Sequence, residues 1–581
     1  MTPLPKNFRR SLISLVLLVS SVALRAELPP EITSRAEMSP ISSRFIAPTR
    51  ILWKSEGGVQ NEKTLLAPKP GQAVLKEPQP PCILSAKGAL LLDFGVEIQG
   101  CIELFSPMLP DKEARSVRIR FGESAMETMS NIGEKGAQND HAIRDEVVTL
   151  PWLGKKIVGP SGFRFVRIDA MGEKPVQLSQ VRAVLQIRDI PYVGSFKCDD
   201  ARLNKIWEVG AYTVHLNMQE YLWDGIKRDR LVWIGDMHPE VSTIDAVFGF
   251  NDVVPRSLDL TREVTPVTEW MNGISSYSMW WVLIHEEWWK HHGDRTYLEK
   301  QKPYMQALLK KLAGLIGEDG QEKINGMRFL DWPSSPNKQG VTAGLQGLLV
   351  MTLESGSRMM TTLGDADTAR LCSDAATRGR KVVPDVNNSK SGAALLALAG
   401  MTDAKKTANE VLQAGGAKGV STFYGFYVLQ ALAKADEMDA ALDIVRNYWG
   451  AMLDRGATTF WEDFDLDWLK DSARIDELVP AGKKDLHGDF GAYCYEGFRH
   501  SFCHGWASGP TAWMSQNILG VHPVEPGFAT VRITPQLGSL KWAEGTYPTP
   551  HGPIHVRHER QPDGSIKSDV KLPEGVVLTK P

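Results

Sequence analysis

The chain has 581 residues, 66 basic and 69 acidic, and a formal charge of −3. That length is ample for several domains with cores of their own. The slight acidity argues against nucleic acid or an anionic membrane surface as a partner. Cysteines at 82, 101, 198, 372, 494 and 503 are scattered with no CxxC pair, leaving isolated thiols and one or two disulfides both open.

In chain order, the first expected element is an export signal over residues 1–26. Lys6, Arg9 and Arg10 precede the apolar run Ser11 to Leu24, and Ala26 offers a small residue for cleavage. The run is short for a membrane span, and no later segment reaches the ~18 apolar residues such a span needs. Cleavage would remove four basic residues and no acid, moving the formal charge from −3 to −7. The expectation is a periplasmic or secreted protein with no membrane contact once the signal is gone.

Residues 27–195 alternate apolar and charged positions, as in Ser116–Phe121 and Phe163–Ile168, and short apolar runs are bounded by Gly and Pro. Half-buried strands give that pattern, and an N-terminal β-sandwich is expected. From 196 to 520 the period turns helical. Tyr304, Leu308, Leu312 and Leu315 share one helix face, as do Met438, Leu442, Val445, Trp449 and Met452. Ten or more such helices fit pairs closed in a ring better than a four-helix bundle. Residues 521–581 return to alternation at Thr530–Ile533 and Ile554–His558, with Asp563-Gly564 as a hairpin turn, so a small C-terminal β domain is expected.

Chemistry concentrates at two places. The stretch Asp224 to Asp236 packs Asp224, Lys227, Arg228, Asp229, Arg230, Trp233 and Asp236 with no apolar stripe at either period. Charge is costly to bury unless paired, so a segment built only to pack would not carry this set. Acids move protons and bind hydroxyls, cations hold the acids, and rings stack on pyranose faces. The plainer alternative is a solvated loop with incidental ion pairs. The second place holds Glu462, beside Trp461 in Gly456–Asp465, and His504 in Arg499–Gly509. Alone, these read equally well as a surface acid and a helix-start histidine.

Metal and phosphate motifs fail on spacing. His285-Glu286 has no second histidine at the metalloprotease interval, and Asp463, Asp465 and Asp467 lack the glycine and closing Glu of a calcium loop. Neither a Gly-rich phosphate loop nor a GxSxG elbow occurs. No metal and no cofactor are expected. Two separated carboxylate clusters with abundant tryptophan point to glycoside hydrolysis.

These motifs resemble the α-L-rhamnosidases of glycoside hydrolase family 78. The family pattern of Asp-x-x-x-Arg, an acid followed by Arg-Leu, then Trp-x-Gly-Asp, is similar to Asp224, Arg228, Asp229, Arg230-Leu231, Trp233, Gly235 and Asp236. Its Gly-Ala-Thr-Thr-x-Trp-Glu motif resembles Gly456–Glu462, its site histidine matches His504, and Val531–Gly552 resembles its C-terminal β domain. The resemblance implies an (α/α)6 barrel and inverting release of terminal L-rhamnose, with Asp229 as general acid and Glu462 as general base. Asp224, Arg228 and Asp236 would bind sugar hydroxyls or hold the acid, and Trp233, Trp332 and His504 would line the pocket. One departure is that the best-known members carry Glu at the acid position. Asp229 draws the proton back by one methylene unless backbone or substrate compensates. The chain is also shorter than long members, and no metal-dependent carbohydrate-binding module is expected. Another (α/α)6 exo-glycosidase, a polysaccharide lyase and a non-catalytic carbohydrate-binding protein remain the alternatives.

Overall fold

The computed structural model describes residues 29–579, so the expected export signal lies outside the described residues. The chain divides into two compact units, residues 1–39 and 40–581. The described part of the first carries one helical turn, α1 (Pro30–Thr33).

The second unit opens with β1 (Ile41–Ile46), β2 (Arg50–Lys54), β3 (Val59–Gln60), β4 (Cys82–Leu84), β5 (Ala89–Ser106) and β6 (Arg115–Gly122). A short helix, α2 (Ala125–Met129), then precedes β7 (Asp145–Leu150), β8 (Gly154–Met171), β9 (Val176–Leu178) and β10 (Gln180–Arg188). One sheet runs β1-β10-β5-β8-β6-β7 with β2 also on β5, and β3-β4-β9 form a second. The expected strands at 116–121 and 163–168 lie within β6 and β8. Val117, Ile119 and Phe121 are sealed, as their alternation requires. The charged face departs from expectation, because Arg120 and Arg164 are buried as well. Arg164 donates to both carboxylate oxygens of Asp93 at 2.8 and 3.0 Å and to the Gly456 carbonyl at 2.9 Å. That face therefore meets later parts of the chain rather than water, and pairing makes the burial of the charge tolerable.

After β11 (Ser195–Cys198) come α3 (Ala201–Asn217), α4 (Met237–Val247), α5 (Val253–Val264), α6 (Ser275–His292), α7 (Arg295–Ala313), α8 (Lys338–Thr362) and α9 (Ala366–Gly379). They are followed by α10 (Lys390–Leu398), α11 (Ala404–Thr407), α12 (Gly425–Lys434), α13 (Met438–Asp454) and α14 (Gly509–Trp513). Side chains cap many of the starts. Asp200 accepts from the Arg202 and Leu203 amides, and Asp294, Asn337, Asp365 and Ser389 each accept an amide of their helix's first turn. The two apolar faces behave as expected: Leu308 and Leu312 on α7 and the Met438–Met452 stripe on α13 lie in one core. No described helix is long and apolar enough to cross a membrane. Between α13 and α14 the chain makes only 3-10 turns, and this irregular stretch carries Glu462 and His504.

The end of the chain forms β12 (Val521–Pro523), β13 (Thr530–Ile533), β14 (Trp542–Tyr547), β15 (Ile554–Arg560), β16 (Ile566–Lys571) and β17 (Val577–Leu578). Asp563-Gly564 turns between β15 and β16, with Gly564 at φ 87. β11 joins this sheet in the order β11-β14-β15-β16. Four residues of alternation do not reveal a partner some 350 residues on, as in the pairing of Ser195 with Thr546.

Candidate active site

The loop between α3 and α4 is held in shape by Asp224. Its amide donates to the Leu231 carbonyl at 3.1 Å, and its Oδ1 accepts from the Leu231 amide at 3.0 Å. The Asp224 carbonyl in turn accepts from the Gly505 amide at 2.8 Å, tying this loop to the His504 segment. Asp229 and Arg230 follow at φ 57 and 56, two successive left-handed residues that are not glycine. Such backbone costs about 1–3 kcal/mol per residue and persists only where surroundings enforce it. Asp236 opens α4 and accepts a hydrogen bond from the Tyr277 hydroxyl at 2.6 Å. The preceding Gly235 has no side chain because the Tyr277 ring would stand 2.3 Å from its Cβ.

Glu462 enters from the other side. Its amide donates to the Ser501 carbonyl at 2.9 Å, its Oε2 accepts from the Ser501 amide at 3.3 Å, and its Oε1 pairs with Arg228 Nη2. His504 Nε2 stands between three carboxyl groups, 3.6 Å from Glu462 Oε1, 3.7 Å from Asp224 Oδ2 and 3.8 Å from Asp236 Oδ2.

All eight residues singled out in the sequence, Asp224, Arg228, Asp229, Trp233, Asp236, Trp332, Glu462 and His504, line one cavity of about 210 Å³. The sequence reading missed Ile274, Tyr277, Phe329, Cys494, Tyr495, Arg499 and Trp506, which complete the lining. The aromatic members form a chain of contacts: Trp233 meets Tyr277 edge-on, Tyr277 meets Phe329, Phe329 meets Trp332, and Trp332 stacks on Tyr493 at 5.6 Å. Only Trp506 carried a signal, standing two residues after His504. Tyr277 sits in a helix so rich in apolar and aromatic residues that nothing separates wall from core.

Burial sets the electrostatics. It lifts Asp224 far above the usual carboxylate range, helped by the charges of Asp229 and Asp236. Asp236 is likewise lifted by burial, against the Tyr277 hydrogen bond. Burial also raises Glu462, but the Arg228 guanidinium opposes it and the result is about 7. Burial would lower Arg228, yet the adjoining Glu462 and Asp229 charges outweigh it and raise it. His504 is held well below its ordinary value by burial and then by Arg228 and His500. The floor thus combines acids that hold their protons more tightly than free carboxyls with an imidazole that resists protonation. Trp233 Nε1 and His504 Nδ1 are buried and make no hydrogen bond. Such orphans cost about 1–3 kcal/mol each, an expense that a hydroxyl-rich ligand would offset.

Among the described residues, two clusters of potential metal ligands lie off this cavity. Asp245, His291 and His292 form one, in which His292 Nε2 already meets Asp245 Oδ1 at 2.8 Å. Glu123, Glu127 and His487 form the other, and there the Lys227 ammonium occupies the cation position, 2.9 Å from Glu123 and 3.1 Å from Glu127. Arg144 also pairs with Glu127, while Lys227 donates to the Phe498 carbonyl at 3.0 Å. A wider groove of about 600 Å³ lies on the C-terminal sheet by Lys197, Glu544 and Arg557. Arg557 is there spent on Glu544 and Glu559, and the groove holds nothing like the buried acid set.

Residues 191–518 match the family model described as the bacterial alpha-L-rhamnosidase 6 hairpin glycosidase domain, and 520–579 match the bacterial alpha-L-rhamnosidase C-terminal domain. Among curated proteins, the chain is similar to an alpha-L-rhamnosidase of Alteromonas sp. strain LOR, with 26% identity over 82% of this chain and 54% of that one. A Streptomyces avermitilis alpha-L-rhamnosidase is 24% identical over 92% of this chain and 51% of its own. The chain thus spans about half the length of the curated relatives it matches. The fold is similar to that of a Klebsiella oxytoca rhamnosidase solved with rhamnose bound, with TM-score 0.65 and 18% identity over 82% of this chain and 96% of that one. By the match of its helical part, the chain belongs to the bacterial α-L-rhamnosidases of glycoside hydrolase family 78.

Proposed function

We propose that the protein is an exported, inverting exo-α-L-rhamnosidase whose helices close as an (α/α)6 barrel behind an N-terminal β-sandwich. The observation that carries the reading is the meeting of Asp229 and Glu462, far apart in sequence, in one small cavity floored by Asp224, Asp236 and His504. At about 210 Å³ it falls below the roughly 300–1,000 Å³ of drug-sized sites, which suits one terminal sugar ring. The aromatic chain supplies an apolar wall for the methyl group of a 6-deoxy sugar, and the unpartnered Trp233 and His504 nitrogens suit its hydroxyls.

In this mechanism Asp229 gives its proton to the glycosidic oxygen as the bond to the anomeric carbon breaks. Glu462 takes a proton from a water whose oxygen attacks the opposite face of that carbon. Arg228 sits on the base rather than on the acid, and its charge favours the carboxylate that the base requires. Burial strengthens the hold of Asp224 and Asp236 on a proton, and in the protonated form each can donate as well as accept a hydrogen bond to hydroxyls.

A panel of p-nitrophenyl glycosides tests the assignment. Release of p-nitrophenol from the α-L-rhamnoside alone is the expected result. Preference for another sugar, or no turnover of any, would sink it.

A further inference from the structure

We propose that His141, which belongs to the loop between α2 and β7, is a positioning residue for the acid Asp229 and compensates for the shortness of that side chain. The inference rests on the reading of Asp229 as general acid. An aspartate stops one methylene short of a glutamate, so its reach depends on where the backbone is set. Here the backbone is set by a left-handed pair, φ 57 at Asp229 and φ 56 at Arg230. Side chains from the N-terminal β region hold both members of that pair, His141 from a loop and Gln99 from β5.

His141 Nδ1 accepts from the Asp229 amide at 2.6 Å and lies 3.0 Å from Asp229 Oδ1. Accepting from the amide uses the single lone pair of Nδ1, so the imidazole fixes the main chain of Asp229, while its ring edge stands against one carboxyl oxygen and limits where that oxygen can go. Arg230 is held in the same manner, donating to the Ile226 carbonyl at 2.8 Å and to Gln99 Oε1 of β5 at 3.0 Å. Without these partners the two left-handed residues would be free to relax, and the carboxyl group would swing with them.

The loop that bears His141 is itself anchored at the cavity. Asp140 pairs with Arg499, which lines the cavity, and Asp140 Oδ1 accepts from the His141 amide at 3.0 Å. Asn139 Oδ1 closes the loop by accepting from the Arg144 and Asp145 amides at 2.8 and 3.0 Å. The charged groups around the imidazole are thus Asp140 and Arg499 on one side and Asp229, with the neighbouring Arg228, on the other. A part of the chain that resembles a passive flank takes part in the placement of the acid.

The experiment compares His141→Ala and His141→Asn on two rhamnosides, one with a poor alkyl or sugar leaving group and one with an activated aryl group that needs little protonation. His141→Ala is expected to lower kcat on the poor leaving group by roughly 10- to 100-fold, a part of what general acid catalysis supplies, with KM and aryl-rhamnoside turnover nearly unchanged. His141→Asn, whose Oδ1 takes about the place of Nδ1, should recover most of the loss. Wild-type turnover of the poor leaving group by His141→Ala would overturn the inference. Equal losses on both substrates, unrescued by Asn, would overturn it too and reduce His141 to a structural role. Asp229→Asn decides the acid assignment separately: if it shows no dependence on leaving group, that assignment fails whatever His141 does.

Discussion

Arg228 and Glu462, 234 positions apart in the chain, form a hydrogen-bonded ion pair with both side chains all but sealed from solvent. Their coupling gives the site a pH signature. Glu462 stands at about 7, raised by burial and restrained by Arg228. A general base must be ionised, so kcat/KM should fall as pH falls through about 7. Arg228→Ala removes the restraint and raises Glu462 further, which should move this acidic limb to higher pH. Arg228→Lys keeps a positive charge and should move it less. Profiles of kcat/KM against pH for the three proteins check this, and an unmoved limb in Arg228→Ala would separate the limb from Glu462.

Asp229→Asn removes a proton donor of nearly unchanged shape. Turnover of poor leaving groups should drop by about 10²–10⁴, with a smaller loss on activated aryl rhamnosides. Steady-state kinetics on both substrate types measure the difference. Equal losses would take Asp229 out of the acid role.

Stereochemistry tests the other half of the pair. If Glu462 acts through water, the first product of an α-rhamnoside is β-rhamnose, visible by proton NMR before mutarotation. Glu462→Gln should then be nearly inactive while it still binds rhamnose. Initial release of α-rhamnose, or a trapped glycosyl-enzyme, would make Glu462 a nucleophile.

Glu240 on α4 gives a stability prediction. Both of its carboxyl oxygens are buried without a hydrogen-bond partner, and one would touch a Cβ placed on Gly505. Burial, then the charges of Asp236 and Asp224, hold it well above the ordinary glutamate range. Between the unfolded and folded values the folded chain keeps a proton that the unfolded chain has released, so stability declines as pH rises. Glu240→Gln lacks this decline. Its melting temperature should match wild type near about pH 5 and exceed it by roughly 1–3 °C near pH 8. A difference that does not grow with pH would contradict the buried, protonated state.

Asp224, Arg228, Asp229 and Asp236 were legible in the sequence because so many charges close together make no sense as packing, whereas Glu462 and His504 stood out only through the resemblance of their motifs to a known family. The helical faces on α7 and α13 were legible from period alone. Tyr277 was not, since an aromatic residue facing the cavity and one facing the core follow the same spacing. Arg164 was misread for a related reason: alternation tells which residues share a face of β8, not whether that face meets water. His141 lies 88 positions before Asp229 in a loop without period, and only the folded chain brings the two together. The pairing of β11 with β14 was hidden in the same way.

Lys227 belongs to the loop before α4, yet the carboxylates beside its ammonium, Glu123 and Glu127, are supplied by the N-terminal sheet region. Each segment is therefore electrically complete only in the other's company. A polypeptide starting at residue 191 would leave Lys227 with only the Phe498 and His500 carbonyls as partners, and would bare Leu216, Ile226 and Cys503, which pack in one core with the N-terminal strands. Expressed alone it should aggregate, and co-expression of residues 27–190 should recover soluble material. For recombination between relatives, the useful crossover would lie where no such charge is shared, rather than at the seam where strands give way to helices.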